Sequence, residues 1–201
     1  MTSGTEVRPE YAYEDVAVGD RNITVATRLG AAGQAFFFVS FLFAFFYLRA
    51  LNTDGRWNHH DLQPSRAYGS VILVCVLGSV AGTWLAAWAS RKPDAGLWRI
   101  GMLAAIGLAV AAIVVQSVQY VNLGFGPGDG SFAAVFVGWT GLLAANMVGV
   151  LYWLWTLFAE TLNRRGRTLE LLRPSTEAVA VYWGTLGLIE LVAFILLYFV
   201  A

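Results

Sequence analysis

The chain has 201 residues, 58% of them hydrophobic and 13% charged, with a formal net charge of zero. Soluble domains carry about a quarter charged residues and nucleic-acid binders a basic excess, so the composition points away from both classes. The single Cys, Cys75, excludes an internal disulfide and, inside an apolar run, reads as a packing residue.

Residues 1–28 are polar and carry Glu6, Glu10, Glu14, Asp15 and Asp20 ahead of the first apolar run. A cleaved signal peptide starts basic and turns apolar early, so this stretch is expected to be an extra-membrane arm. Leu29 to Leu48 holds no charge between Arg28 and Arg49 and is dense in Phe. Twenty helical residues at about 1.5 Å each match the roughly 30 Å hydrocarbon core of a bilayer. Four further apolar runs follow, over about 67–90, 100–123, 132–159 and 177–200. The Gly-rich stretch Gly124 to Ser131 bounds the third, and Glu177 is expected to open the fifth. The predicted architecture is an all-α integral membrane protein, a five-transmembrane-helix bundle spanning 29–201 behind a polar arm of 1–28.

Arg and Lys number ten in the arm, the turn after span two and the loop after span four, against three (Arg49, Arg56, Arg66) on the other side. The positive-inside rule then predicts a cytoplasmic N-terminus and a C-terminus outside, in a cell membrane. Trp84, Trp88, Trp98, Trp153 and Trp155 lie toward span ends and are expected at the lipid–water interface. Gly78 with Gly82, and Gly107 with Ala111, have the four-residue spacing that lets membrane helices approach closely.

Polar side chains inside spans are the best pointers to function. Gln34 lies in span one, Gln116 and Gln119 on one face of span three, Asn146 in span four and Glu190 in span five. The amides read either as interhelical hydrogen bonds or as contacts to lipid, water or a proton route. Glu190 reads as a partner-subunit contact, a buried structural hydrogen bond or a proton-handling group. A charged carboxylate at that depth costs about 2–3 kcal/mol or more, which favours a protonated or paired state. The two His, His59 and His60, are neighbours in the first loop beside Asp61. Adjacent residues seldom make a metal site alone, so no metal site is expected. With no His inside a span, no haem ligation by His within the bundle is expected either. There is no CxxC, no Gly-rich phosphate loop and no nucleophile–His pairing, so no catalytic residue is assigned.

Four segments taken in order resemble the cytochrome c oxidase subunit III family. They are GQAFFFVSFLFAFFYLR (Gly33 to Arg49), QSVQY (Gln116 to Tyr120), FVGWTGLLAANMVG (Phe136 to Gly149) and EAVAVYWGTLGLIELVAFILLYF (Glu177 to Phe199). The resemblance covers about residues 30–200 and is to the five-helix core of that family, a short and divergent form. Gln34 and Gln119 stand where the family has Glu, Leu143 and Asn146 where it has His, and Gly184 and Gly187 where it has His and Asp. Glu190 falls where an aromatic is usual.

The resemblance implies an accessory, non-redox subunit of a haem–copper terminal oxidase in aerobic electron transport. Such a subunit packs on the catalytic subunit I, holds phospholipid and leaves haem and copper to its partner subunits. Gln34, Arg49 and Gln119 match polar positions of the family; with Gln116 and Asn146 they are the candidate lipid or interhelical contacts, and Glu190 the candidate contact to a partner subunit. A subunit III-like component of a nitric oxide reductase, a stand-alone small membrane transporter and a structural bridge between respiratory complexes are the alternatives. The transporter would be favoured by inverted repeats or broken helices, and no convincing internal repeat is present.

Overall fold

A computed structural model describes residues 16–52, 55, 57, 58, 62–92, 94–162 and 168–200. The first fifteen residues of the arm, the pair His59 and His60, and residues 163–167 of the last loop lie outside the described residues.

Five helices account for almost all of the described chain: α1 (Val16–Ala50), α2 (Arg66–Arg91), α3 (Ala95–Val121), α4 (Ser131–Leu162) and α5 (Leu169–Ile195). All five are long and apolar enough to cross a membrane. Apolar runs become helices there because every backbone N–H and C=O must be satisfied within the segment once water is gone. α5 continues into a wider π turn, Leu196–Val200.

Two helices begin earlier than expected. α1 starts at Val16, so Asp20, Arg21, Thr24 and Arg28 form its first turns, where an arm was expected through residue 28. Its 35 residues rise about 50 Å, beyond the roughly 30 Å of hydrocarbon, and the excess is the polar end. α5 starts at Leu169, not at Glu177, with Thr168 at its N-cap in extended conformation and Glu170 in the first turn, where acidic groups complement the helix dipole. α3 is launched by Asp94, whose side chain accepts a 3.0 Å hydrogen bond from the Leu97 amide. Past the end of α3, Gly124 takes φ +72°, a left-handed conformation suited to Gly.

α2 and α3 form an antiparallel hairpin held at very close range. A Cβ on Gly82 would lie 2.9 Å from the Ala105 nitrogen and the Gly101 oxygen; one on Gly101 would lie 2.8 Å from the Ala86 nitrogen and the Gly82 oxygen. The small-residue face of α3 is therefore Gly101, Ala105, Ala109 and Ala112, with the three Ala fully buried. The expected pair Gly107 and Ala111 is not at this contact: a Cβ on Gly107 would have nothing within 4 Å. Gly78 meets only the Leu108 side chain.

α5 packs on the other side of α2, and α1 packs on α5 and α4. α4 closes the bundle against α3 and α5. Ser79 ties three helices: its hydroxyl donates to the Ala105 carbonyl at 2.7 Å and accepts from the Trp183 indole at 2.9 Å. Trp84, Trp88 and Trp155 are exposed, as interface residues should be. Trp98 corrects that expectation. It is buried, stacks on Phe158, and points its indole N–H at the Thr176 hydroxyl. At the other end, Trp57 of the first loop is buried against Phe45 and Phe132, and its carbonyl accepts from the Phe132 amide.

Candidate polar sites in and around the bundle

Two of the sequence-predicted amides meet at one junction. The Gln34 amide donates to the Asn146 side-chain oxygen at 2.9 Å, and the Tyr182 hydroxyl donates to the same oxygen at 3.1 Å. The Asn146 amide nitrogen is in turn spent on the Leu142 carbonyl one turn back, 2.9 Å away. α1, α4 and α5 therefore share one acceptor. Gly30 of α1 faces the Tyr182 ring with room to spare: a Cβ placed there would lie 3.9 Å from it, at ordinary contact distance.

The other two amides form a second junction. The Gln116 amide donates to the Gln119 side-chain oxygen at 3.1 Å, and the Gln119 amide donates to the Tyr198 hydroxyl at 2.6 Å. From the residue after Gln119, the Tyr120 hydroxyl donates to Thr140 at 2.8 Å, and the Thr140 hydroxyl passes on to the Phe136 carbonyl at 2.7 Å. Gly69 makes room for the Tyr198 ring: a Cβ there would meet ring carbons at 2.5–2.9 Å. The Gln pair is buried, so each amide is directed into the bundle instead of toward lipid.

Glu190 sits on the buried stripe of α5 with Trp183, Leu186 and Ala193, and only 8% of it is exposed. The candidate partner-subunit contact thus lies mostly inside the bundle. It is the only acidic or basic side chain among the buried described residues. Arg49, by contrast, lies exposed at the far end of α1, complementing the helix C-terminus and apart from every one of these amides.

A third site was not named from the sequence. At the basic end of the bundle a cavity of about 190 Å³ lies between α1, α2 and α5, lined by Thr24, Thr27, Arg28, Arg91 and Glu177 among others. Glu177 accepts from Arg91 at 2.8 Å and from Arg173 at 3.1 Å. Arg28 lines the same cavity from α1. Further along α1 and α5 an almost wholly apolar groove of about 210 Å³ runs over Phe38, Val39, Trp139 and Val192. The Trp139 indole N–H is buried without a partner among the described residues. The sequence signal for the cavity is three charges at span ends that face one another only after folding.

These arrangements can hold helices together, hold a polar headgroup beside an apolar chain, and bury one carboxyl. No family model and no curated relative matches the chain. The geometry alone therefore bears on function.

Proposed function

We propose that this chain is a non-redox accessory subunit of a membrane haem–copper terminal oxidase, one that stabilises the catalytic subunit and holds phospholipid. The observation that carries the reading is the way the resembling segments join. Gln34, Asn146 and Tyr182 come from three of the four segments, and Gln119 and Tyr198 from the remaining one and the last. Amides can replace carboxylates in such bonds because they both donate and accept. The positions then serve structure without carrying a proton.

The seam between α1 and α5 supports the lipid part of the reading. Arg28 and Arg91 offer donors to a phosphate at the basic end. The apolar groove begins about 10 Å further along α1 and suits an acyl chain. In this reading the basic end is cytoplasmic, and haem, copper and the electron path belong to partner subunits, catalytic subunit I first among them.

The test is to extract the tagged chain from its native membrane in mild detergent and record the optical and mass spectra of what accompanies it. A haem spectrum together with a large haem–copper subunit is the expected result. The haem type and the partner set then separate oxygen reduction from nitric oxide reduction. A colourless chain without partners in several mild detergents would overturn the reading, and solute flux in liposomes containing this chain alone would replace it with transport.

A further inference from the structure

The cavity at the basic end offers a ligand more than two arginines. Thr27 and Arg28 line it from α1, Trp84 and Arg91 from α2, and Glu177 from α5. Thr27 is only 8% exposed, yet its hydroxyl has no hydrogen-bond partner among the described residues. Thr24, one turn earlier, follows the usual course of a helical Thr and donates to the carbonyl four residues back, at 3.0 Å. A buried hydroxyl without a partner is costly, and a polar group in the cavity would supply the missing bond.

The charges in the walls leave one donor and one acceptor over. Glu177 accepts from Arg91 at 2.8 Å and from Arg173 at 3.1 Å, and both bonds end on its Oε1. Its Oε2 is left to accept from something else. The Arg28 guanidinium has no hydrogen-bond or ion-pair partner among the described residues. Two positive charges, Arg28 and Arg91, stand against the one negative charge of Glu177, so the walls carry one net positive charge. A single phosphodiester balances it. Donors for a phosphate thus lie beside a carboxylate oxygen that wants a donor of its own.

The cavity also has a direction. Trp84 lies two turns before Arg91, about 10 Å further into the membrane along α2. Its indole nitrogen sits over Gly184, 3.2 Å from where a Cβ would stand, and Gly184 lies two turns past Glu177. Charges therefore line the aqueous end and an indole the deeper end, the order of a headgroup and the level beneath it. The volume of about 190 Å³ is below the roughly 300–1,000 Å³ that holds a whole drug-sized molecule. It suits a headgroup whose remaining parts lie outside.

We propose that this cavity selects a phosphodiester whose head carries an O–H or N–H donor, as ethanolamine and glycerol heads do and a choline head does not. Arg28, Arg91 and the Thr27 hydroxyl hold the phosphate, and Glu177 Oε2 accepts from the head. A site built to bond a donor rejects the analogue that lacks it, because its own acceptor is then left unpaired. Binding is non-covalent, and the same chemistry is found in a phospholipid and in a soluble glycerophosphate ester. The inference rests on the lipid reading above for the source of the ester, and not on the oxidase reading.

The experiment is native mass spectrometry of the full-length chain released from mixed micelles. The micelles hold phosphatidylethanolamine and phosphatidylcholine in equal amounts and with the same acyl chains. The wild type should retain the ethanolamine lipid over the choline lipid several-fold. Glu177→Ala should bring the two to parity, and Thr27→Val should lower retention of the ethanolamine lipid several-fold. Arg99→Leu, outside the cavity, should change neither. A second arm offers soluble glycerophosphoethanolamine without lipid. Binding of that ester with no lipid retained would keep the site and overturn the lipid reading. Equal retention of both lipids by the wild type, a preference that survives Glu177→Ala, or retention indifferent to Thr27→Val would each overturn the inference and leave lipid holding itself in place. Retention of neither lipid nor ester would overturn both. The wild-type ratio decides even if a variant fails to fold.

Discussion

Replacing Gly82 by Ala places one methyl group between two backbones. The new Cβ would stand 2.9 Å from the Ala105 nitrogen and the Gly101 oxygen, and 3.2 Å from the Ala105 Cα. None of these is the end of a flexible side chain, so rotamer changes cannot relieve the overlap and α2 and α3 must part. Overpacking of this kind costs about 1–3 kcal/mol. The exchange also removes a helical Gly, which returns roughly 0.5–1 kcal/mol. The net expectation for Gly82→Ala is a loss of about 0.5–2 kcal/mol. Gly107→Ala is the internal control: nothing lies within 4 Å of its added methyl, so only the helix-propensity gain remains and the variant should be neutral or slightly more stable. Gly101→Ala meets the same interface from the other side, at 2.8 Å, so the double variant should cost less than the sum of the two singles. Unfolding in mixed micelles by a denaturing detergent, followed by tryptophan fluorescence, measures all four proteins. If Gly82→Ala proves as stable as Gly107→Ala, the hairpin does not pack as described.

Asn146→Leu and Gln34→Leu, combined in a double-mutant cycle, should show a coupling of about 0.6 kcal/mol and no more than about 1.7, the range for interhelical hydrogen bonds in membranes; zero coupling would mean that the 2.9 Å contact contributes nothing. Asp94→Ala removes the side-chain cap of α3 and should cost about 0.5–2 kcal/mol, with Asp94→Asn recovering most of it in the same unfolding assay. The Arg91–Glu177 pair has side chains 52% and 33% exposed, so Glu177→Ala should change stability by no more than about 1 kcal/mol, less at high salt. Arg28→Leu with Arg91→Leu should lower the lipid phosphorus that stays with the purified protein, while Arg99→Leu should not.

The spans were legible because bilayer thickness sets a length that apolar runs must meet. Their ends were not, because helical backbone bonding carries on into polar sequence; α1 begins at Val16 and α5 at Leu169 for that reason. The amides Gln34, Gln116, Gln119 and Asn146 stand out among apolar neighbours, so they could be named in advance. Their partners Tyr182 and Tyr198 could not, since a Tyr near a span end reads equally well as an interface aromatic. Trp98 was misplaced on the same logic. Gly107 and Ala111 were misjudged because α3 is apolar all round, and spacing alone does not say which side faces a neighbour. Arg28, Arg91 and Glu177 are far apart in sequence, and only the antiparallel course of α2 against α5 brings two of them within hydrogen-bond reach.

The packing of α1 bears on the order in which the bundle is made. Its neighbours are α5 and α4, both synthesised after it, whereas α2 and α3 are consecutive and pair with each other. During translation the hairpin can therefore close as soon as its second arm leaves the translocon, while α1 is still without α4 and α5. Its polar first turns, with Asp20, Arg21 and Arg28, keep it from sliding through the bilayer in that interval. Gln34 spends the same period without Asn146 or Tyr182 and meets both only when the last helices arrive. Assembly of this bundle thus runs from the middle outward, with α1 made before the hairpin and among the last of the five helices to find its place.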